Sequence, residues 1–564
     1  MQKTSTKPYT ACLISILAVI AVCFTGISNR DLWTPDEPRV AAISLEMAQN
    51  GNFIIPHLAG EPFVEKPPLY FAASAYMLKA MGAITGKTTA IRLTTVLFGL
   101  GVLLMTFLIA RIFGGFEAGI LAMIILATME GFVKNFHWIR VDAALAFFVI
   151  ASIWCFVRVY YEDKLEFCPL GGLFLAGSFL SKGLIGPVFV AVPWSGLFII
   201  RLFQHKNNKI NIKRFVFYHL ASLLIFAGIS GLWMLLLYNK GGKSIWDEWF
   251  WVNQVGRLAG TAHKGHIKPG RPFYYIIKLI EHGMPWTPLI IFWLVSRTTG
   301  FIKNRSLSRK NLFLCIWAIG SILFLTISAT KRGMYLFPAL PVFAIMAASS
   351  FKPNIPEWFK KYSDFWFLFC VIIIILINFS PIFAALLPET LPAYINKFTH
   401  TFGYYNFFSC AGLIFFLILL LRYRKKITPA YLMFVVTSLL YVSILGVPLQ
   451  IINVKKSMKS DTRNFVSAIP EPGRVKIAGC LSETLSGCFY YYSDWKVPQI
   501  KNTKKINDIL SGRDNRYNSI IKDCRINNRK TFETGLFESP YHIISKTMIG
   551  HKRKLLWVEG LKPE

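Results

Sequence analysis

Acidic residues are scarce in this chain. Against 62 Lys and Arg stand 29 Asp and Glu, and charged residues of all kinds make up 16% of 564 residues. A water-soluble protein of this length carries more charge, which excludes an ordinary soluble enzyme. The ten cysteines lack metal-type spacing, so no zinc ribbon or finger is expected. No repeat and no low-complexity linker occurs, which excludes a solenoid or a tethered array. The first apolar stretch lacks a clean small-residue cleavage site, and it reads as a retained anchor rather than a signal peptide.

What is present is apolar length. Hydrophobic residues make up 54% of the chain and aromatics 15%, with a mean hydropathy of +0.46. A helix needs roughly 20 apolar residues to cross the hydrocarbon core. Thirteen stretches approach that: 10–28, 90–111, 115–132, 142–159, 169–182, 184–201, 215–238, 273–296, 310–328, 334–351, 364–386, 403–421 and 428–447. Four short loops, around Arg201–Arg214, Arg297–Lys310, Lys352–Lys361 and Arg422–Lys426, are rich in Lys and Arg and fall on one side of this count. The positive-inside rule makes that side cytoplasmic, together with Lys3 and Lys7. Segments 29–89, 239–272, 384–402 and the tail from 448 then lie outside.

Residues 1–447 read as a membrane domain and 448–564 as a small outer α/β domain. The tail shows a strand signal at 474–478, an aromatic stretch at 489–492 and a late strand at 541–544. Cys12, Cys23, Cys155, Cys315, Cys370 and Cys410 lie in apolar spans as small core residues. Cys480, Cys488 and Cys524 belong to the tail, where one disulfide and one remaining thiol fit an oxidising compartment.

The net charge of +33 exceeds what orientation needs. Arg39, Lys66, Arg140, Lys182, Arg257, Arg271, Lys331 and Arg332 fall on the outer side. They are dispersed among spans rather than gathered on a soluble basic face, which argues against nucleic acid. Lipid phosphates suit them better, because Lys and Arg make charge-assisted bonds to phosphate. Interfacial anchoring is the plainer reading of any one of them.

Two clusters follow the first span: Trp33-Thr34-Pro35-Asp36-Glu37-Pro38-Arg39 and Glu65-Lys66-Pro67-Pro68-Leu69. Thr34 reads as an N-cap, Pro35 as the first helical residue and Glu37 as the far half of a capping box. Val40, Ala41, Ile43, Ser44 and Met47 recur at helical spacing, and Asn50-Gly51 supplies a stop. The second cluster opens a helix expected to run to about Gly82. Helix capping accounts for each cluster alone. Two such clusters in one loop at a membrane surface suit chemistry on a lipid head group.

These motifs resemble the first outer loop of the polyprenyl-phosphate-dependent glycosyltransferases of the glycosyltransferase C superfamily. Protein O-mannosyltransferases and the lipid A aminoarabinose transferase belong to it. The resemblance continues through Arg140-Val141-Asp142, Leu180-Ser181-Lys182-Gly183 with Gly186-Pro187, and Lys331-Arg332-Gly333-Met334-Tyr335-Leu336-Phe337-Pro338. It covers about residues 31–345 and lies nearest the aminoarabinose branch; the later spans and tail match only in layout.

The resemblance implies a sugar donor on polyprenyl phosphate, with lipid A or lipopolysaccharide as acceptor and membrane lipids as surroundings. Asp36 is then the expected catalytic carboxylate, with Glu37 and Lys66 beside it. Arg39, Arg140, Lys182, Arg257, Arg271, Lys331, Arg332 and Tyr335 are expected at the donor phosphate. Glu65 is implied as ligand to a divalent metal (Zn or Mg/Mn), and His400 is its candidate partner, with His263 and His266 as others. A solvated loop histidine and a structural Asp142–Arg140 ion pair are the plainer alternatives. Tyr335 and Pro338 equally read as an interfacial anchor and a helix start. The loop 239–272 reads either as a lid or as a static interfacial helix around 246–251.

A transporter or flippase would place ionisable groups near mid-span. Here mid-span positions are nearly free of Asp and Glu, which favours an enzyme at the interface. The expectation is a monomeric inner-membrane enzyme of thirteen transmembrane helices. It moves 4-amino-4-deoxy-L-arabinose or a related amino sugar from undecaprenyl phosphate to lipid A, as polymyxin-resistance enzymes do; transfer to a protein hydroxyl or another glycan is the alternative.

Overall fold

A computed structural model describes residues 8–204, 211–261, 273–304, 307–329, 331–351, 355–386, 417–418, 421–422, 424, 427–446, 448–469, 471–474, 476–500, 502–525, 540–549 and 553–561. The apolar stretches form helices, because inside a bilayer each backbone N–H and C=O must find its partner within the segment. Among the described residues six helices are long and apolar enough to cross a membrane: Lys87–Gly114, Asp142–Glu162, Ile212–Val255, Arg309–Ile327, Glu357–Ser380 and Pro429–Gly446. Phe116–Thr128 and Glu130–Phe136, bent by 66° at their junction, supply a seventh if taken as one span. The protein is a multi-pass helical membrane protein.

The thirteen-span count goes beyond these helices. Phe167–Lys182, Ile185–Arg201 and Gly333–Ser349 are apolar but short. The expected span at 273–296 is two helices, Tyr274–His282 and Thr287–Asn304. The expected span at 334–351 opens as a 3₁₀ segment, Gly333–Ala339, before turning α-helical at Leu340. Most of 403–421 lies outside the described residues.

Contacts divide the chain into two compact units. One comprises residues 1–27, 64–70 and 93–448; the other comprises 28–63, 71–92 and 449–564. The first unit holds the membrane helices around a core that includes Trp286, Trp293, Trp317 and Phe156. The second joins most of the first outer loop to the tail.

In the second unit, β1 (His57–Leu58) pairs with β2 (Glu61–Pro62). The tail forms a four-stranded sheet of β3 (Ile477–Cys480), β4 (Ser519–Arg525), β5 (Tyr541–Ile549) and β6 (Arg553–Gly560), in the order β3-β4-β6-β5. Only the β3–β4 pair is parallel. Strand alternation sends Ile521 and Leu555 to one face, against Leu485 and Phe489, and Ile520 and Leu556 to the other, against Ile506 and Ile509. The α/β reading of the tail holds, with local corrections. Arg474 ends a short helix rather than a strand, and the aromatic stretch 489–492 lies in the helix Glu483–Ser493. Cys480, Cys488 and Cys524 are all free thiols.

The first outer-loop helix runs from Asp36 to Asn50, and Gly51 ends it at φ 69° with its N–H on the Met47 carbonyl at 3.1 Å. Left-handed φ at that point is what glycine supplies without strain. The start differs from the capping box expected. Pro35, not Thr34, occupies the N-cap and no side chain caps it. Glu37 instead turns back to accept the Trp33 backbone N–H at 2.8 Å. The next helix is Leu69–Thr85, so Glu65-Lys66-Pro67-Pro68 forms the approach to it.

Candidate active site

Asp36 and Glu37 are neighbours with different surroundings. Glu37 is fully buried. Arg30 grips its two oxygens at 2.5 and 2.8 Å, and Arg92 approaches both at 3.4 Å. Arg92 also donates to the carbonyls of Arg30 and Asp31, each at 2.7 Å. Burial pushes the Glu37 carboxyl up, but the charges of Arg30 and Arg92 and the hydrogen bonds from Arg30 and Trp33 outweigh it and bring its pKa from 4.5 to about 2. Enclosed this way, Glu37 ties residues 30–33 to the start of the helix and has no face for a substrate.

A depressed carboxylate pKa stabilises the fold above its ordinary value and loses that contribution as pH falls toward the depressed one. The Glu37 contribution, about 3 kcal/mol at 1.36 kcal/mol per pKa unit, is therefore present above pH 4.5 and lost between there and about 2. Glu37→Ala strands two buried guanidiniums and is expected to cost about 3–5 kcal/mol. Thermal unfolding of the detergent-purified protein measures it, and an unchanged midpoint would show the cluster to be idle.

Asp36 is less enclosed. Its Oδ1 accepts from Arg39 at 3.1 Å, and the other arm of Arg39 donates to Glu483 at 2.6 Å. Arg39, expected at the donor phosphate, thus sits between two carboxylates, with its guanidinium 5.5 Å from the Phe63 ring centre.

In the first unit a cavity with about 700 Å³ of open space gathers other expected residues. Lys66, Lys182, Arg257 and Arg332 line it with Tyr335, Glu65 and Asp142. Four cations against two carboxylates leave an excess of positive charge. Lys182 is hydrogen-bonded to Asp142 and lies 4.1 Å from the Tyr335 ring centre, a cation–π distance. Arg257 donates to Glu65 at 2.8 Å, and Lys66 lies 3.9 Å from the same oxygen. The Arg332 guanidinium has no such commitment: among the described residues it makes no hydrogen bond or ion pair, while its backbone N–H meets Tyr275 at 3.3 Å.

Gln254 and Gly183 shape the wall. The Gln254 side chain accepts the Leu184 N–H at 3.1 Å. Gly183 has φ +75°, and a Cβ there would lie 2.1 Å from the Gln254 oxygen, so both backbone and space demand glycine. Gln254 sits in a π-helical turn, Glu248–Val255. Trp249 in that turn is buried against Trp233 at 5.0 Å, so this part of 239–272 is packed rather than lid-like.

Other expected residues lie elsewhere. Lys331 is absent from the cavity lining; its ammonium caps the helix Arg309–Ile327 by donating to the carbonyls of Thr326 at 2.6 Å and Ser328 at 3.1 Å. Arg140 bonds Asn135 at 3.0 Å and stacks on Trp138 at 4.4 Å, while Lys182 is hydrogen-bonded to Asp142. Arg271, His263, His266 and His400 lie outside the described residues.

The Glu65 carboxylate faces two cations, and it belongs to no group of three ligand-type side chains among the described residues. The one group there with such spacing is Glu130, Glu281 and His282, whose ligand atoms lie within 4.8 Å of one another. Lys134 meets Glu130 at 3.1 Å and Glu281 at 3.5 Å, and Lys278 is hydrogen-bonded to Glu281, so these carboxylates are already neutralised. Sequence reasoning missed this group, because Glu130 and His282 stand 152 positions apart with no spacing to link them. It also missed Arg30, Arg92, Gln254 and Glu483; an arginine entering the apolar run at 92 was the one available signal.

Residues 11–240 match the family model of the dolichyl-phosphate-mannose-protein mannosyltransferases. Among curated proteins, undecaprenyl phosphate-alpha-4-amino-4-deoxy-L-arabinose arabinosyl transferase 2 of Proteus mirabilis is 28% identical over 348 residues, 60% of this chain and 58% of that protein. The corresponding transferase of Pectobacterium atrosepticum is 25% identical over 359 residues, 62% of this chain and 60% of that protein. The match thus spans about three fifths of the length of these relatives. The crystal structure of ArnT from Cupriavidus metallidurans bound to undecaprenyl phosphate superposes with a TM-score of 0.69 at 16% identity, covering 98% of both chains. The resemblance to the polyprenyl-phosphate-dependent glycosyltransferases is borne out in sequence, and the fold is shared with that ArnT structure.

Proposed function

We propose that this chain, which resembles the polyprenyl-phosphate-dependent glycosyltransferases and shares its fold with the ArnT structure, moves a sugar from polyprenyl phosphate to an acceptor at the outer membrane face. The donor is undecaprenyl phosphate bearing 4-amino-4-deoxy-L-arabinose or a related amino sugar, and the acceptor is lipid A. The protein resides in a bacterial inner membrane with its N-terminus in the cytoplasm and its tail in the periplasm. The observation that carries this reading is the cavity with excess positive charge, in which the Arg332 guanidinium is uncommitted among the described residues.

The acceptor oxygen attacks the anomeric carbon, the bond from that carbon to the phosphate oxygen breaks, and the phosphate leaves with the electron pair. Negative charge grows on the leaving oxygen. Lys66, Lys182, Arg257 and Arg332 are the residues to meet it, as preorganised cations lining the cavity. Asp36 is the carboxylate that takes the acceptor proton or orients the acceptor. If lipid A presents a phosphate, the nucleophile is already an anion and positioning is the larger task. Substrates and product are lipids, which suits a site reached from the bilayer.

Arg332→Ala is expected to raise the apparent KM for the lipid-phosphate donor more than it lowers kcat, because part of that contact exists in the ground state. Donor titration on protein in nanodiscs measures it. A KM equal to wild type would remove Arg332 from the donor site. For the whole reading, lipid A from cells with and without the gene is compared by mass spectrometry. A mass increment of one amino pentose on lipid A phosphate supports it, and its absence in cells that make the protein and the donor would overturn lipid A as acceptor.

A further inference from the structure

The tail helix Glu483–Ser493 lies on the turn that carries Asp36, within the second unit. Ser482 caps that helix by accepting the Leu485 N–H. Thr484 donates its hydroxyl to the Pro35 carbonyl at 3.1 Å, and the Tyr492 hydroxyl accepts the Leu32 N–H at 3.1 Å. Between them, Gly487 lies so close to the turn that a Cβ would stand 2.8 Å from the Pro38 carbonyl oxygen and 3.1 Å from the Arg39 Cα. Two backbones approach this closely only where a side chain is missing. Asn453, also from the tail, accepts the Asp31 N–H at 3.0 Å and the Trp33 indole N–H at 2.9 Å. The turn is held from the tail side at residues 31, 32, 33, 35 and 38–39.

One contact of this clamp is electrostatic. Glu483 takes the Nη1 arm of Arg39 at 2.6 Å while the Nη2 arm holds Asp36 at 3.1 Å. A guanidinium shared by two carboxylates is fixed in orientation, and it neutralises each less than it would neutralise one alone. Glu483 lies in the first turn of its helix, at the positive end of the helix dipole. We infer that Glu483 is a positioning residue for sugar transfer: holding Arg39 from the far side, it sets where Arg39 meets Asp36 and how much of the Asp36 charge remains for the acceptor. The inference rests on the proposed role of Asp36, and it assigns the tail a part in the reaction.

Glu483 makes a clean test because its side chain is 45% exposed. Exposed ion pairs add little to stability, so its loss leaves the fold intact. In the full-length protein, Glu483→Gln is expected to lower kcat about tenfold with the donor KM within about twofold of wild type, the split expected when only transition-state interaction is lost. Glu483→Asp is expected to recover part of that loss. In an Arg39→Ala background, Glu483→Gln is expected to lower kcat no further, because its effect passes through Arg39. A Glu483→Gln protein with wild-type kcat, or losses that multiply across the two sites, would overturn the inference. If wild type itself transfers no sugar from the polyprenyl-phosphate donor, the proposed function fails separately. Hydrogen exchange at the amides of residues 33, 34, 36, 37 and 39 then decides for the clamp: faster exchange in Glu483→Gln supports it, and exchange equal to wild type overturns it.

Discussion

Asp36→Asn is expected to leave the protein at normal abundance in the membrane and to lower transfer at least about 100-fold, the scale of a lost acid-base or electrostatic group. The substitution keeps size and one hydrogen-bond acceptor for Arg39 while removing the charge. Asp36 and Arg39 form a pair with side chains 10% and 12% exposed, three residues apart on one helix, and the asparagine oxygen can still accept from Arg39. The buried pairing that anchors this turn belongs to Glu37 with Arg30 and Arg92, and it is untouched. Loss of activity with retained abundance therefore reads as lost chemistry. Near-normal turnover by the purified variant would reduce Asp36 to a helix-start anion.

Lys66→Ala is expected to lower kcat by about 100-fold, with a smaller effect on donor KM, if its ammonium meets the charge that develops as the phosphate leaves. Lys66 lines the cavity with its side chain 14% exposed, 3.9 Å from the Glu65 carboxylate. Arg257 already bonds that same carboxylate at 2.8 Å, so Lys66 is not the principal partner of Glu65. Lys66→Arg is expected to recover little, because a planar fork on a longer stem does not replace a compact ammonium in a confined wall. Donor-titration and single-turnover kinetics in nanodiscs separate the two parameters. If Lys66→Ala turns over like wild type and only the yield falls, Lys66 is an interfacial anchor.

Helix positions in this protein were legible where local rules act. The helix 36–50 followed from apolar spacing and the Asn50-Gly51 stop, and the structure ends it at Gly51. Its start was misread, since Thr34 is the better isolated N-cap but the buried arginines drew Glu37 back toward Trp33. The expected spans 273–296 and 334–351 failed in a related way. Hydropathy reports how apolar a stretch is, not whether it stays one straight helix, and Pro285 and Pro338 interrupt these two.

By itself the sequence determined the membrane class, because roughly 20 apolar residues in a row leave a helix as the way to satisfy a backbone in lipid. It also determined the paired motifs of the first outer loop, which fall within the residues 11–240 that match the family model, since those residues lie close together along the chain. Only the tertiary structure decided which cation serves which anion. Lys182 meets Asp142 40 positions away and Arg257 meets Glu65 192 positions away, whereas Lys331 turns from the cavity to cap a helix. Only the tertiary structure, too, separated Asp36 from the adjacent Glu37 and brought Glu483 to Arg39 across 444 positions. Charge pairing depends on distance in space and on burial, and neither leaves a period in the sequence.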